Sequence, residues 1–268
     1  MSDNPFQLDW DFAALHGAWP TGPDNAYLLN RLRDIPVDAT AEGARGPVLE
    51  VGASEAIHSC RLSLLGLTTV ALEPSFAMLG HARERMAEYG THFELVRGIS
   101  EKLPFPDESF DRVLCESSID HLADPGLGVR EMTRVLRPDG RLIIGVVNYG
   151  SISVRTSRLI YWVARRLRLA RRDVHLFWDS PVPIEHTFEC TYPILMKLCG
   201  QYLDLDRAFG VSIGWACPGW GSVLGRLSQE RANAILRGLD RVAYHVPRAA
   251  DYILSVWKPR TCGPSNPR

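Results

Sequence analysis

The segment Pro47–Ser75, PVLEVGASEAIHSCRLSLLGLTTVALEPS, limits the folds open to this chain more than any other. Val48–Val51 is a short apolar run that stops at Gly52, and Glu55–Leu65 carries enough helix formers for a crossover. Thr68–Leu72 is β-branched and apolar, the composition of a strand buried on both faces of a parallel sheet. Glu73 then falls 21 residues after Gly52, at the end of the second strand. Strand, tight turn, helix, strand and acid form one half of a nucleotide-binding α/β unit. The turn and the helix N-terminus offer backbone N–H groups to a ligand, and the acid can accept hydrogen bonds from ribose hydroxyls. Dehydrogenases and methyltransferases share this unit, so the later segments have to separate them.

Downstream, the alternation continues. Ser75 is a suitable N-cap for a helix to about Tyr89, and Gly90 supplies the stop. Strands are expected at 92–96, 110–115 and 141–147, with a helix from Pro125 to about Leu136 and a tight turn at Pro138-Asp139-Gly140. Such alternation predicts a parallel sheet with helices on both faces. Before it, Asp24 is expected to cap a helix to about Arg33, with 37–46 as a linker. After Tyr149 the rhythm breaks. Residues 155–172 predict a helix carrying seven arginines, a helix is expected at 188–200, a strand at 202–209, a helix at 221–240 and a last strand at 251–257.

Length and charge narrow the class. A chain of 268 residues suits one large α/β domain, and a net charge of −1 gives no global attraction to nucleic acid. The six cysteines form no CxxC pair, which favours reduced thiols over a disulfide framework or a zinc site. The acidic first 25 residues contain no continuous apolar stretch, and no run of about 18 apolar residues occurs anywhere. A cytoplasmic location is therefore expected.

Four segments resemble the class I S-adenosyl-L-methionine-dependent methyltransferases of the small-molecule branch: VLEVGASE (48–55), ALEPSFAML (71–79), LPFPDESFDRVLCESSIDHL (103–122) and REMTRVLRPDGRLII (130–144). The last two are far more specific than the glycine turn, and they disfavour a nicotinamide-dependent dehydrogenase. The resemblance implies a Rossmann-like doubly wound sheet of seven strands, mostly parallel with the last strand antiparallel, helices on both faces and a helical lid insertion at about 149–190. Residues 46–260 would form the methyltransferase-like domain, preceded by an arm and helix at 1–45 and followed by a loose tail at 261–268. S-adenosyl-L-methionine is the implied cofactor.

For the site, the resemblance implies that Glu50 supports the methionine end of the cofactor and that the turn Gly52, Ala53, Ser54 to Ala56 passes beneath it. Glu73 would take the ribose hydroxyls, with Pro74 beside it and Met78 near the adenine, while Glu116 to Ser118 form the floor beside the sulfonium. Ile99 and Ser100 stand where the family commonly has an acid and a small residue, so Ile99 can only pack against the purine. Ser54 and Ala56 replace family glycines at positions that favour positive φ. His121 and His186 are candidates for removing a proton from the acceptor, or for structural roles; His58 and His81 read as helix-surface residues. The reading is a methyltransferase acting on a small-molecule or lipid-like acceptor; the alternative is a binding protein whose cofactor site has decayed. The arginine-rich helix reads as a solvated lid face, as a site for an acidic substrate, or as a peripheral membrane contact.

Overall fold

A computed structural model describes residues 22–168 and 187–260. Its centre is one seven-stranded sheet: β1 (Val48–Val51), β2 (Thr69–Glu73), β3 (Glu94–Arg97), β4 (Phe110–Glu116), β5 (Leu136–Val147), β6 (Leu203–Val211) and β7 (Tyr252–Pro259). The spatial order is β3-β2-β1-β4-β5-β7-β6. The first five strands are parallel, and β7 lies antiparallel between β5 and β6. β6 therefore runs in the same sense as β5, and the carboxyl ends of six strands share one edge. The chain leaves β1 for β2 on one side and returns to β4 on the other. That reversal opens a crevice beyond the carboxyl ends of β1 and β4, where α/β sheets bind ligands.

Alternation along each strand decides which residues face which layer. Leu49, Val113, Leu142, Ile144, Ile253 and Trp257 pack with Val129 and Met132 of α4 (Pro125–Val135) and with Leu195 and Cys199 of α6 (Tyr192–Cys199). Val48, Leu114, Ile143, Tyr252, Leu254 and Val256 face the other way, toward Leu28, Ile35 and Val37 of α1 (Pro23–Ala41) and Leu62 of α2 (Ile57–Leu64). A small third cluster, Ala53, Ala56, Cys60, Ala71, Ala82 and Phe93, joins the first loop to α3 (Phe76–Tyr89). Helices α5 (Ile152–Arg166), α7 (Trp220–Leu224) and α8 (Gln229–His245) complete the described elements.

The parallel half follows the sequence closely. Ser75 Oγ accepts the Met78 amide at 3.2 Å, and Gly90 ends α3 in the left-handed region at φ 62°. Several boundaries differ. α1 is capped at Gly22, with Pro23 opening the helix, and Asp24 instead is buried and accepts the Ala216 amide at 3.3 Å. The helix also continues through Pro36 to Ala41, across the expected linker, because Ile35, Val37 and Ala39 bury against the sheet. Packing there outweighs the hydrogen bond that proline removes. β5 starts at Leu136, so Pro138-Asp139-Gly140 lies within it: pairing steps from Phe110↔Leu136 to Arg112↔Arg141 across a bulge. The helix expected at 221–240 is two helices, broken where Ser228 Oγ caps α8 through the Arg231 amide at 3.4 Å. Cys60, Cys115, Cys190, Cys199 and Cys217 are free thiols. No described helix is long and apolar enough to cross a membrane.

Candidate active site

The crevice is built from the loops after β1, β2 and β4. Gly52 has φ 70°, and a Cβ there would lie 2.3 Å from Ser118 Oγ, so a side chain would collide with the loop after β4. Ser118 Oγ donates to the Gly52 carbonyl at 3.1 Å and closes this contact. Ser54 and Ala56 hold φ 51° and 55°. The loop thus alternates left-handed residues at 52, 54 and 56, a path that gives the Gly52 and Ala53 amides to the Leu72 carbonyl and the Ser54 amide to Glu73. Ala56 is the N-cap of α2 and provides no side-chain cap, and the Ser59 amide of the first turn is taken by Glu50 instead.

Glu73 is the hinge between the first two loops. It is 2% exposed, its Oε2 accepts the Ser54 amide at 2.9 Å, and its Oε1 accepts the Ser75 amide at 2.9 Å. Burial raises its pKa, opposed by those two hydrogen bonds. A carboxylate has about four acceptor sites, so two remain for the hydroxyls of a ribose. Beside it, Pro74 accepts from Arg97 Nε at 3.0 Å, Arg97 lies over the Phe76 ring at 5.8 Å, and Met78 is buried. Ile99 leads into a short 3₁₀ turn, Ser100–Lys102, in which Ser100 is buried and donates to Glu101 at 3.0 Å. Glu101 in turn accepts the Ala123 amide at 2.9 Å, which ties this turn to the loop after β4.

Glu50 is committed to α2. Its Oε2 accepts the Ser59 amide at 2.9 Å and the Ser59 hydroxyl, and its Oε1 lies 3.1 Å from His58 Nδ1. His58 Nε2 reaches the Leu32 carbonyl at 2.9 Å, so the ring bridges β1 to α1. It is not the helix-surface residue expected: burial works against its charge, but the hydrogen bond and charge of Glu50 prevail and its pKa is pushed up to about 9. His81, by contrast, is at the surface beside Glu84.

At the end of β4, Glu116 Oε1 accepts the Tyr252 hydroxyl at 2.6 Å and Ser117 Oγ at 2.9 Å. Burial raises the Glu116 pKa, against the charge of His58 and the Tyr252 hydrogen bond. Tyr252 reaches this position across Gly145, where a Cβ would stand 2.5 Å from its hydroxyl. His121 closes a 3₁₀ turn after Ser118, and the next-door Asp120 carbonyl accepts the Thr187 amide at 2.8 Å. His186 lies outside the described residues, as does the rest of the region 169–186 within the expected lid.

The structure therefore brings Gly52, Ala53, Ser54, Glu73, Ser118 and Glu116 to one edge, and it ties Glu50 into the support behind them. Sequence reasoning missed Tyr252 and gave His58 no part in the site. The local signal was thin: Tyr252 opens the last strand some 136 positions after Glu116, and only sheet pairing joins them. A separate apolar hollow of about 440 Å³, lined in part by Cys217, Trp220 and Val223, follows β6. β6 is four strands from β1, so at about 4.8 Å per strand the hollow is roughly 19 Å from the Gly52 loop and is not part of it. Among the described residues no cluster of His, Cys, Asp and Glu could hold a metal ion.

Residues 49–144 match the family described as "Methyltransferase domain". The chain is 35% identical over 102 residues to a demethylmenaquinone methyltransferase of Mycobacterium sp. (strain JLS), covering 38% of this chain and 42% of that one. It is 30% identical over 152 residues to a ubiquinone biosynthesis O-methyltransferase of Xanthomonas axonopodis pv. citri (strain 306), covering 55% and 64%. The chain thus spans less than two thirds of the length of these curated relatives. Its fold is similar to that of a Burkholderia thailandensis 1,6-didemethyltoxoflavin-N1-methyltransferase solved with S-adenosylhomocysteine, with a TM-score of 0.54, 12% identity, and 93% of this chain and 85% of that one covered. Residues 49–144 thus carry a match to a methyltransferase domain, and the sheet around them has the fold of the methyltransferase structure to which it is similar.

Proposed function

We propose that the protein transfers a methyl group from S-adenosylmethionine to an oxygen or carbon of a small quinone-type, lipid-like acceptor. The observation that carries the cofactor reading is Glu73, a buried carboxylate clamped by the amides of Ser54 and Ser75 at the carboxyl end of β2. It faces the crevice across from the Gly52 loop, within the span matched by the methyltransferase domain. The quinone-type acceptor is supported by the names of the two relatives above, a demethylmenaquinone and a ubiquinone-biosynthesis enzyme.

In this reading Glu73 holds the ribose, the left-handed turn 52–56 passes beneath the amino-acid end, and Met78 and Ile99 pack toward the base. The cofactor supplies an electrophilic methyl on a sulfonium, so the protein has mainly to align the acceptor and exclude water. Glu116 contributes negative charge beside the crevice, with its oxygen fixed by Tyr252 and Ser117. His121 stands after β4, where it can take a proton from an acceptor hydroxyl.

Calorimetric titration with S-adenosylmethionine and S-adenosylhomocysteine, with NAD as control, tests the cofactor reading. Saturable binding of both sulfur compounds and none of NAD is expected; the reverse pattern would overturn it. Transfer of labelled methyl to a panel of hydroxylated quinols then tests the acceptor, and labelling of none of them would remove the quinone class.

A further inference from the structure

Helix α5 is apolar on the wrong side for a helix that only packs on a core. Its inward face carries Ser153, Val154 and Ser157, all buried. Ser153 Oγ accepts the Gly214 amide at 2.7 Å, and Ser157 Oγ lies 3.6 Å from Cys217 Sγ. The large apolar side chains point outward: Leu159 is 61% exposed, Trp162 64% and Leu167 62%, with Ile152, Ile160 and Val163 also in solvent. Leu159, Val163 and Leu167 follow at intervals of four and form one continuous stripe. Surface helices ordinarily show the opposite arrangement.

Charge accompanies the stripe. Between Ile152 and Arg168 there are five arginines and no acidic residue. Among the described residues only Arg158 has a carboxylate partner, Glu189 at 2.6 Å. Arg155, Arg165, Arg166 and Arg168 remain exposed around the apolar face. A second copy of this chain docking stripe to stripe would set these cations against each other. A surface that is anionic outside and apolar beneath matches both features.

Position adds a reason for such a surface. Val147 ends β5 at the same edge as Glu116, which pairs with Gly145, and α5 starts five residues after Val147. α5 therefore begins at the carboxyl edge of the sheet, the edge on which the crevice opens.

We infer that α5 is a membrane-docking helix, seating Leu159, Trp162, Val163 and Leu167 in the headgroup region of an anionic bilayer while Arg155, Arg165, Arg166 and Arg168 meet lipid phosphates. This deepens the reading of a lipid-like acceptor, but its test reads binding and not methyl transfer, so either can fail alone.

The full chain is sedimented with vesicles of phosphatidylcholine, and with vesicles that also contain phosphatidylglycerol. Partition at least about tenfold stronger into the anionic vesicles is expected, weakened by added salt. The variant L159S/V163S/L167S, which alters only exposed side chains, and R155E/R166E should each lower that partition about tenfold or more while circular dichroism is unchanged. Trp162→Phe should remove most of the vesicle-induced change in tryptophan fluorescence. Equal partition into both vesicle types, no partition, or partition indifferent to both variants would overturn the proposal. So would a dimer in light scattering that L159S/V163S/L167S dissociates, which would make the stripe a subunit contact. Shielding of Trp162 from aqueous quenchers in the lipid-free monomer would assign the stripe to cover by the chain's own residues, and would also overturn it.

Discussion

Single residues carry the crevice, and two of them make sharp predictions. Glu73 has two duties, since it fixes Ser54 and Ser75 and offers its remaining lone pairs outward. Glu73→Ala should weaken S-adenosylhomocysteine binding by about 1.5–3 kcal/mol, the range for hydrogen bonds to a charged group, and calorimetry reads it directly. Glu73→Gln should not restore it, because its amide nitrogen would turn a donor toward one of two backbone donors. Gly52 is constrained twice, by φ 70° and by the Ser118 hydroxyl 2.3 Å from any Cβ. Gly52→Ala should therefore cost about 1–3 kcal/mol of stability, measured by urea unfolding, and a neutral result would mean the loop can move away from β4. Ser54 and Ala56 adopt left-handed backbone without being glycine, at roughly 1–2 kcal/mol each by the usual penalty. Their packing explains why that is tolerated: Ala56 is fully buried and Ser54 is held by Glu73.

Elements are joined by buried titratable groups, and these give the fold its pH dependence. The pair Glu50–His58 pins β1 to α2 and, through Leu32, to α1. The folded pKa of His58, about 9, is above the unfolded value near 6.5, so the folded state holds the extra proton between them. That stabilisation is complete below about pH 6.5 and is lost as pH rises through 9, at up to about 1.4 kcal/mol per pH unit. His58→Gln should flatten this part of the stability–pH curve in chemical denaturation. Asp251 joins β7 to the turn after β6: its Oδ2 accepts the Trp215 amide at 2.9 Å, and burial pushes its pKa up to about 7. An unfolded aspartate titrates near 3.9, so again the folded state binds the proton more tightly, and stability falls as pH rises from about 4 to 7. Asp251→Asn should remove that lower slope and leave the His58 slope in place. If both variants keep the parent curve, neither group sets the dependence.

At the scale of the whole molecule, the parallel half of the sheet and its loops were legible in the residues, and the rest was decided by packing. Short, largely apolar runs ending in Gly52 and Glu73 announced β1 and β2 because a doubly covered strand has no polar face to hide, and Val113–Cys115 did the same for β4 before Glu116. Ser75 and Gly90 marked α3 because capping is local chemistry. The same local signals misplaced α1, whose course through Pro36 depends on what Ile35 and Val37 meet across the core. They also could not see the Glu116–Tyr252 bond, the His58 bridge or the Ser118–Gly52 contact, each made by residues that share no sequence window. The outward stripe of α5 was visible as a pattern, but a pattern cannot say which face a helix buries. Sequence by itself determined the order of strands and helices, the acids at the strand ends and the position of the turn, because these follow from backbone conformation and short-range periodicity. Tertiary structure alone decided which carboxylate is spent on scaffolding, which is left facing the crevice and which helix face remains in solvent, because hydrogen-bond partners and burial are set by what the sheet brings together.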